Sequence, residues 1–257
     1  MMNFTSDGLK IFRRDWLLES PKASVVLVHG LGEHSGRYEH VAKSLNDAGY
    51  SVFSLDHRGH GLSEGQKGHV NTFEDYIKDV HSVVQFAKER HPGVAVMMLG
   101  HSMGGMIATG YALRHLDIKS LIISAPPYGV PGKSANLQLK LGALVGKLFP
   151  KIGLSNQLDP SHVCKKPEVV KNYIEDDLVH DQISLGWGTA FVKEQKFIHA
   201  NIQKLSIPYL LLLAKQDLIT DCAVAESLFT KVGSENKKLV VYPDSVSYTH
   251  LTLPTIA

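Results

Sequence analysis

The stretch Gly100-His101-Ser102-Met103-Gly104 constrains the fold of this chain more than any other. The apolar run Val94 to Leu99 precedes it, and Gly104-Gly105-Met106-Ile107-Ala108 after it reads as the start of a helix running to about His115. A buried strand, a tight turn with a serine at its tip and a helix make a nucleophile elbow. Glycines beside the serine lack Cβ, so a strained turn avoids clashing with the strand and the helix. The strain lifts the hydroxyl clear of the backbone, and the helix N-terminus adds positive dipole character beside it.

The rest of the chain repeats strand and helix around this point. Residues 9–18 alternate weakly and read as an edge strand, and Ala23 to Val28 is a β-branched run that reads as a central buried strand. The spacing predicts a helix over Arg37 to Ala48, closed by Gly49, then a strand at Ser51 to Leu55. Phe73 to Arg90 has helical spacing with acids early, and further strands are predicted at Lys119–Ser124, Ile207–Ala214 and Lys238–Tyr242. Such alternation predicts an α/β fold: a mostly parallel central sheet with helices on both faces, and ligands at the C-terminal strand ends.

Residues 126–205 break the rhythm, with no clear strand, and read as a helical cap inserted into a core of residues 1–125 and 206–245. Leu137, Leu141, Leu144, Val145 and Leu148 share one helical face, with Lys140, Lys147 and Lys151 along its edge. That face suits packing on the body, lining an acyl pocket or resting on a membrane surface.

Three candidate groups lie at strand ends. Ser102 is the nucleophile. His29-Gly30-Leu31-Gly32 follows a buried strand, and the backbone N–H groups of Leu31 and Met103 are the candidate oxyanion donors. Asp217, after the Ile207–Ala214 strand, fits the order Ser, Asp, His, whereas Asp221 reads as a helix N-cap. The loop Asp56 to Ser63 reads as a structural turn; His57 and His60 lack a third metal ligand, so no metal is expected.

The segments His29 to Tyr38, Asp56 to Ser63 and Gly100 to Gly105 together resemble the monoacylglycerol lipases of the α/β-hydrolase fold, and bacterial lysophospholipases with the same pattern. The resemblance runs from about residue 8 to about residue 245. It implies a serine hydrolase that cleaves a monoacylglycerol or lysophospholipid ester with no cofactor. It also implies that Glu33, Arg37 and a cap tyrosine, Tyr173, sit near the glycerol end of the substrate. By the family's spacing the catalytic histidine falls at Ser247, and the nearest histidine is His250. Residues 246–257, with no helical period and a proline at 254, read as a non-native tail in place of the histidine loop and final helix. Loss of that helix would leave apolar sheet surface exposed. A broad-specificity carboxylesterase, or a lipid-binding relic without its base, are the rival readings.

The remaining bounds agree with that class. A chain of 257 residues suits one large domain with an insertion, and a net charge of +2 without a basic block argues against nucleic acid as a partner. Two cysteines imply a reducing compartment. Asp7, Lys10, Arg13 and Arg14 interrupt any leader-like apolar run, and no segment reaches the ~20 apolar residues a membrane span needs. A cytoplasmic protein is expected, possible membrane contact being peripheral and through the cap.

Overall fold

The computed structural model describes residues 2–130, 145–146 and 148–248. In chain order, β1 (Met2–Ser6), β2 (Leu9–Trp16) and β3 (Ala23–Val28) lead through a 3-10 turn to α1 (Glu39–Asp47) and β4 (Tyr50–Leu55). Then come α2 (Phe73–Arg90), β5 (Val96–His101), α3 (Met103–Arg114) and β6 (Ser120–Ser124). The next segment holds β7 (Gly153–Ser155), α4 (Pro167–Ile174), β8 (Gln182–Ser184) and α5 (Leu185–Asn201). It returns to β9 (Tyr209–Ala214), α6 (Cys222–Lys231) and β10 (Lys237–Tyr242).

Eight strands form one sheet in the order β1-β2-β4-β3-β5-β6-β9-β10. Pairing is parallel from β4 to β10 and antiparallel at β1–β2 and β2–β4. The expectation that residues 9–18 form an edge strand is corrected: β1 lies outside β2. Asp7 and Gly8 both have positive φ, at 49° and 81°, the backbone that a two-residue hairpin turn requires.

Successive strand residues face opposite sides. Val26, Val28, Phe53, Leu55, Met98 and Ile123 point into the main core under α2 and α3. Helix α3 is buried nearly all round, because the sheet, α2 and α5 enclose it. On the other face Val25, Leu27, Val52 and Leu99 pack with Tyr38, Val41 and Tyr248. Along that face Met97, Ile122, Leu210 and Val240 are only half-buried.

Neighbouring strands β6 and β9 are separated in sequence by the whole β7–α5 segment, which stands where the inserted cap is expected. The expectation that it lacks strands is corrected: β7 and β8 pair antiparallel, with Leu154 opposite Ile183. Three-residue strands are too short for a period-2 pattern to show in sequence. Of the proposed apolar stripe, Leu137, Leu141 and Leu144 lie outside the described residues, as do Lys140 and Lys147. Val145 and Leu148 are 48% and 77% exposed. Among the described residues no helix is long and apolar enough to cross a membrane.

Candidate active site

Ser102 sits between the last residue of β5 and the first of α3, with φ 52° and ψ −123°. A non-glycine residue in that region carries about 1–3 kcal/mol of strain and persists only where its surroundings over-determine it. Here they do. The Ser102 N–H donates to Ser124 O of the next strand at 2.9 Å, and Ser102 O accepts from Gly105 N at 2.8 Å. A Cβ at Gly104 would collide with Val28 O, and one at Gly100 would collide with Gly104 O. Both glycines let α3 start directly on the ends of β3 and β5.

The loop after β3 lies against the serine: a Cβ at Gly30 would stand 3.3 Å from Ser102 Cβ. Its shape is set from below by Glu33, whose Oε1 accepts the Gly30 N–H at 2.7 Å and the Tyr38 hydroxyl at 2.6 Å. Burial would raise the Glu33 carboxyl, but neighbouring His101, Arg37 and His29 and the Tyr38 bond outweigh it and hold it below its ordinary value. Burial lowers His101 itself to about 4. That ring is neutral at neutral pH, so Arg37, with Nε 3.3 Å from Glu33 Oε2, is the charge that matters. The Leu31 N–H and the Met103 N–H, the latter at the start of α3, have no acceptor among the described residues.

Glu33, Arg37 and Tyr173 do come together. The Arg37 guanidinium carbon lies 4.7 Å from the Tyr173 ring centre. A cavity of about 510 Å³ opens beside them, between His34, Arg37 and His40 on one side and α4 with Asp176 and Tyr248 on the other.

Asp217 follows β9. Its Oδ1 accepts from Ile219 N at 2.8 Å and Thr220 N at 3.0 Å, and its Oδ2 from the Thr220 hydroxyl at 2.9 Å. Asp221 accepts from Val224 N and caps α6, a structural role. His250 lies outside the described residues. Ser247 is buried, and among the described residues no imidazole hydrogen-bonds the Ser102 hydroxyl or the Asp217 carboxylate.

Sequence reasoning missed Tyr38, Thr220 and His180, which hold the loops from behind. Tyr38 was visible only as the residue after Arg37, and nothing in the sequence marks the other two. His57 and His60 are buried with His29 in a cluster of rings 4.1–6.1 Å apart, and burial pushes all three below the ordinary imidazole value. Neither this cluster nor any other group of three or more His, Cys, Asp or Glu side chains among the described residues is arranged to hold a metal ion.

Strand order and elbow define the class: this is an α/β-hydrolase fold with a serine at its nucleophile elbow. Residues 19–249 match the family described as Serine aminopeptidase, S33, and the chain belongs to that family. It is 33% identical over 239 residues to a monoacylglycerol lipase of Mycolicibacterium smegmatis, covering 92% of this chain and 85% of that one. It is 34% identical to an abhydrolase domain-containing protein of Dictyostelium discoideum, covering 90% of this chain and 24% of that longer protein. The crystal structure of a monoacylglycerol lipase from Paleococcus ferrophilus superposes with a TM-score of 0.85 at 33% identity, over 92% of this chain and 90% of that one.

Proposed function

We propose that this protein hydrolyses carboxylic esters of lipids, with a monoacylglycerol or a lysophospholipid as substrate. The observation that carries the reading is the strained serine at the C-terminal end of the parallel sheet, with the Gly30–Leu31 loop against it. The Ser102 oxygen attacks the ester carbonyl carbon and gives its proton to an imidazole base. The carbonyl oxygen becomes an oxyanion that accepts from the Leu31 and Met103 N–H groups. The alcohol leaves with that proton, an acyl-serine remains, and water activated by the same base releases the fatty acid. Asp217 orients the base and stabilises its cation. His250 is the candidate base, three residues beyond Ser247, where the family's spacing places the histidine.

The β6–β9 insertion serves as a cap. Its outer surface exposes Leu148, Phe149, Ile152 and Leu154 beside Lys151. An apolar patch edged with a cation suits an aggregated lipid substrate. Arg37, with Tyr173 against it and buried Glu33 holding it from behind, faces the approach for the polar head of that substrate.

The test is turnover of a long-chain monoacylglycerol and a lysophospholipid, set beside short soluble p-nitrophenyl esters and a p-nitroanilide amide. Ser102→Ala, His250→Ala and Ser247→His accompany the unaltered chain. Long-chain turnover abolished by Ser102→Ala and His250→Ala supports the reading with His250 as base. Turnover that arises only in Ser247→His moves the base to the family position. Preference for short esters favours a general carboxylesterase, and preference for the anilide a peptidase. The serine at position 247, where the family's spacing puts the histidine, favours one second reading, a lipid-binding relic. That reading predicts tight fatty-acyl binding with no Ser102-dependent turnover.

A further inference from the structure

The loop carrying Leu31 is held at two points, one on each side of that residue. Before it, the Gly30 N–H is fixed by Glu33 Oε1. After it, Gly32 O accepts the backbone N–H of His180 at 2.9 Å. The first restraint comes from the loop itself. The second comes from the β6–β9 insertion, far along the chain from Gly32.

His180 is itself held firmly. Its Nδ1 accepts the Gln182 N–H at 3.2 Å, so the ring proton sits on Nε2, which donates to Gly59 O at 3.0 Å. The ring lies 4.8 Å from that of buried His60. Burial, the largest influence, keeps its pKa below the ordinary imidazole value, which suits a ring whose bonds require the neutral form. Gly32 has φ 73°, and a Cβ there would run into His180 O, so the two backbones approach as closely as glycine permits. The seam continues where Ser184 N donates to Gly68 O at 2.9 Å.

We infer that His180 is a positioning residue for the oxyanion hole. Its side chain, anchored on Gly59, aims its own N–H at Gly32 O and so fixes the Leu31 N–H between two restraints. Seating of the insertion is thereby coupled to transition-state stabilisation rather than only to substrate access. This rests on the reading of Leu31 as an oxyanion donor. An N–H aimed in advance at the developing charge costs no reorganisation during reaction, and small misplacements are expensive in rate.

The experiment compares His180→Ala, His180→Gln and His180→Asn with the unaltered chain on p-nitrophenyl butyrate, a short ester with little use for an acyl pocket. Each is also titrated with an alkyl boronic acid, whose tetrahedral serine adduct places an oxygen in the oxyanion hole. Amide hydrogen exchange is followed at Leu31 and Gly32. His180→Ala is expected to lower kcat about ten-fold, less than the ~10²–10³ for losing one oxyanion donor outright. KM should stay within about two-fold, the boronic acid should bind more weakly by a similar factor to the kcat loss, and exchange at Leu31 and Gly32 should rise. The glutamine amide reaches as far as Nε2 and should restore the Gly59 bond and most of kcat; asparagine, too short, should not. If His180→Ala keeps kcat and boronate affinity, or if all three variants lose only thermal stability, the inference is overturned. Should the alanine variant not fold, the Gln and Asn pair carries the comparison. If neither the unaltered chain nor Ser247→His shows Ser102-dependent turnover, the hydrolase reading fails instead. Exchange at Leu31 and Gly32 then still decides whether His180 holds the loop.

Discussion

The Trp187 indole N–H donates to the Met103 sulfur across 3.4 Å, tying α5 of the insertion to the residue that follows the elbow serine. Trp187 also stacks on Phe191 at 5.0 Å and lies 6.4 Å from Phe73 of α2. The insertion thus shares a core with the elbow helix. Trp187→Ala should cost about 3–5 kcal/mol of stability, as large aromatic truncations in cores do. Trp187→Phe should cost less, because it keeps part of the packing and gives up the N–H···S contact. Urea unfolding checks both. A loss under about 1 kcal/mol for the alanine variant would show that the insertion is not part of the cooperative core.

Ser102 holds a backbone conformation that glycine adopts without penalty. Ser102→Gly should therefore raise the unfolding free energy by about 1–3 kcal/mol while abolishing Ser102-dependent chemistry. Ser102→Ala keeps the Cβ and should leave stability nearly unchanged. Thermal unfolding of the three forms side by side is the measurement. Equal midpoints for glycine and alanine would mean that the strain is no larger than the chain entropy glycine adds to the unfolded state, about 0.5–1 kcal/mol.

Gly104→Ala acts in the opposite direction. Its Cβ would meet Val28 O and stand 2.5 Å from His29 O, with no flexible side chain to move aside. Overpacking of a core typically costs 1–3 kcal/mol, and backbone contacts leave less room to relax. The variant should lose at least about 3 kcal/mol, or fail to accumulate in soluble form. A soluble, stable Gly104→Ala protein would show that α3 can move off β3.

Much of this architecture is legible in the sequence because it is periodic. β3 and α2 fall on their predicted residues, and β4, β5, β6, β9 and β10 fall within about two residues of them, since buried parallel strands are short unbroken apolar runs. The elbow is legible because glycine and serine at fixed spacing have few other uses. The hairpin strand β1 and the paired β7 and β8 are not, being too short or too polar for a period to register. The contacts that shape the site are long-range, as in Trp187 with Met103, His180 with Gly32 and Tyr248 with Arg37 O at 3.0 Å. Nothing local at Trp187 or His180 announces the partner, so only the folded chain reveals them. Tyr248 lies in the stretch read as foreign, yet it is buried against Tyr38 and His101.

Asp217 gives a prediction in which stability and activity part. Burial raises its pKa, and the donors on Thr220 and Ile219 only partly oppose this. In the window between the ordinary carboxyl value near 3.8 and its raised folded value, the folded state binds more protons than the unfolded one. Stability contributed by this group therefore falls as pH rises through that window, and above it the buried charge is a standing cost. Asp217→Asn removes the titration. The amide oxygen can keep the Ile219 and Thr220 N–H bonds, and its NH₂ can donate to the Thr220 hydroxyl, which accepts as well as donates. Stability at neutral pH should hold or rise, and the Asp217 part of the acid-side slope should vanish. In the proposed role of triad acid, its loss should lower kcat by about 10⁴, because an amide cannot hold the base in its productive form. Urea titrations from pH 3 to 8 with initial rates at each pH make the comparison. A variant that loses stability at neutral pH and keeps its rate would assign Asp217 to the turn and leave the acid to another carboxylate.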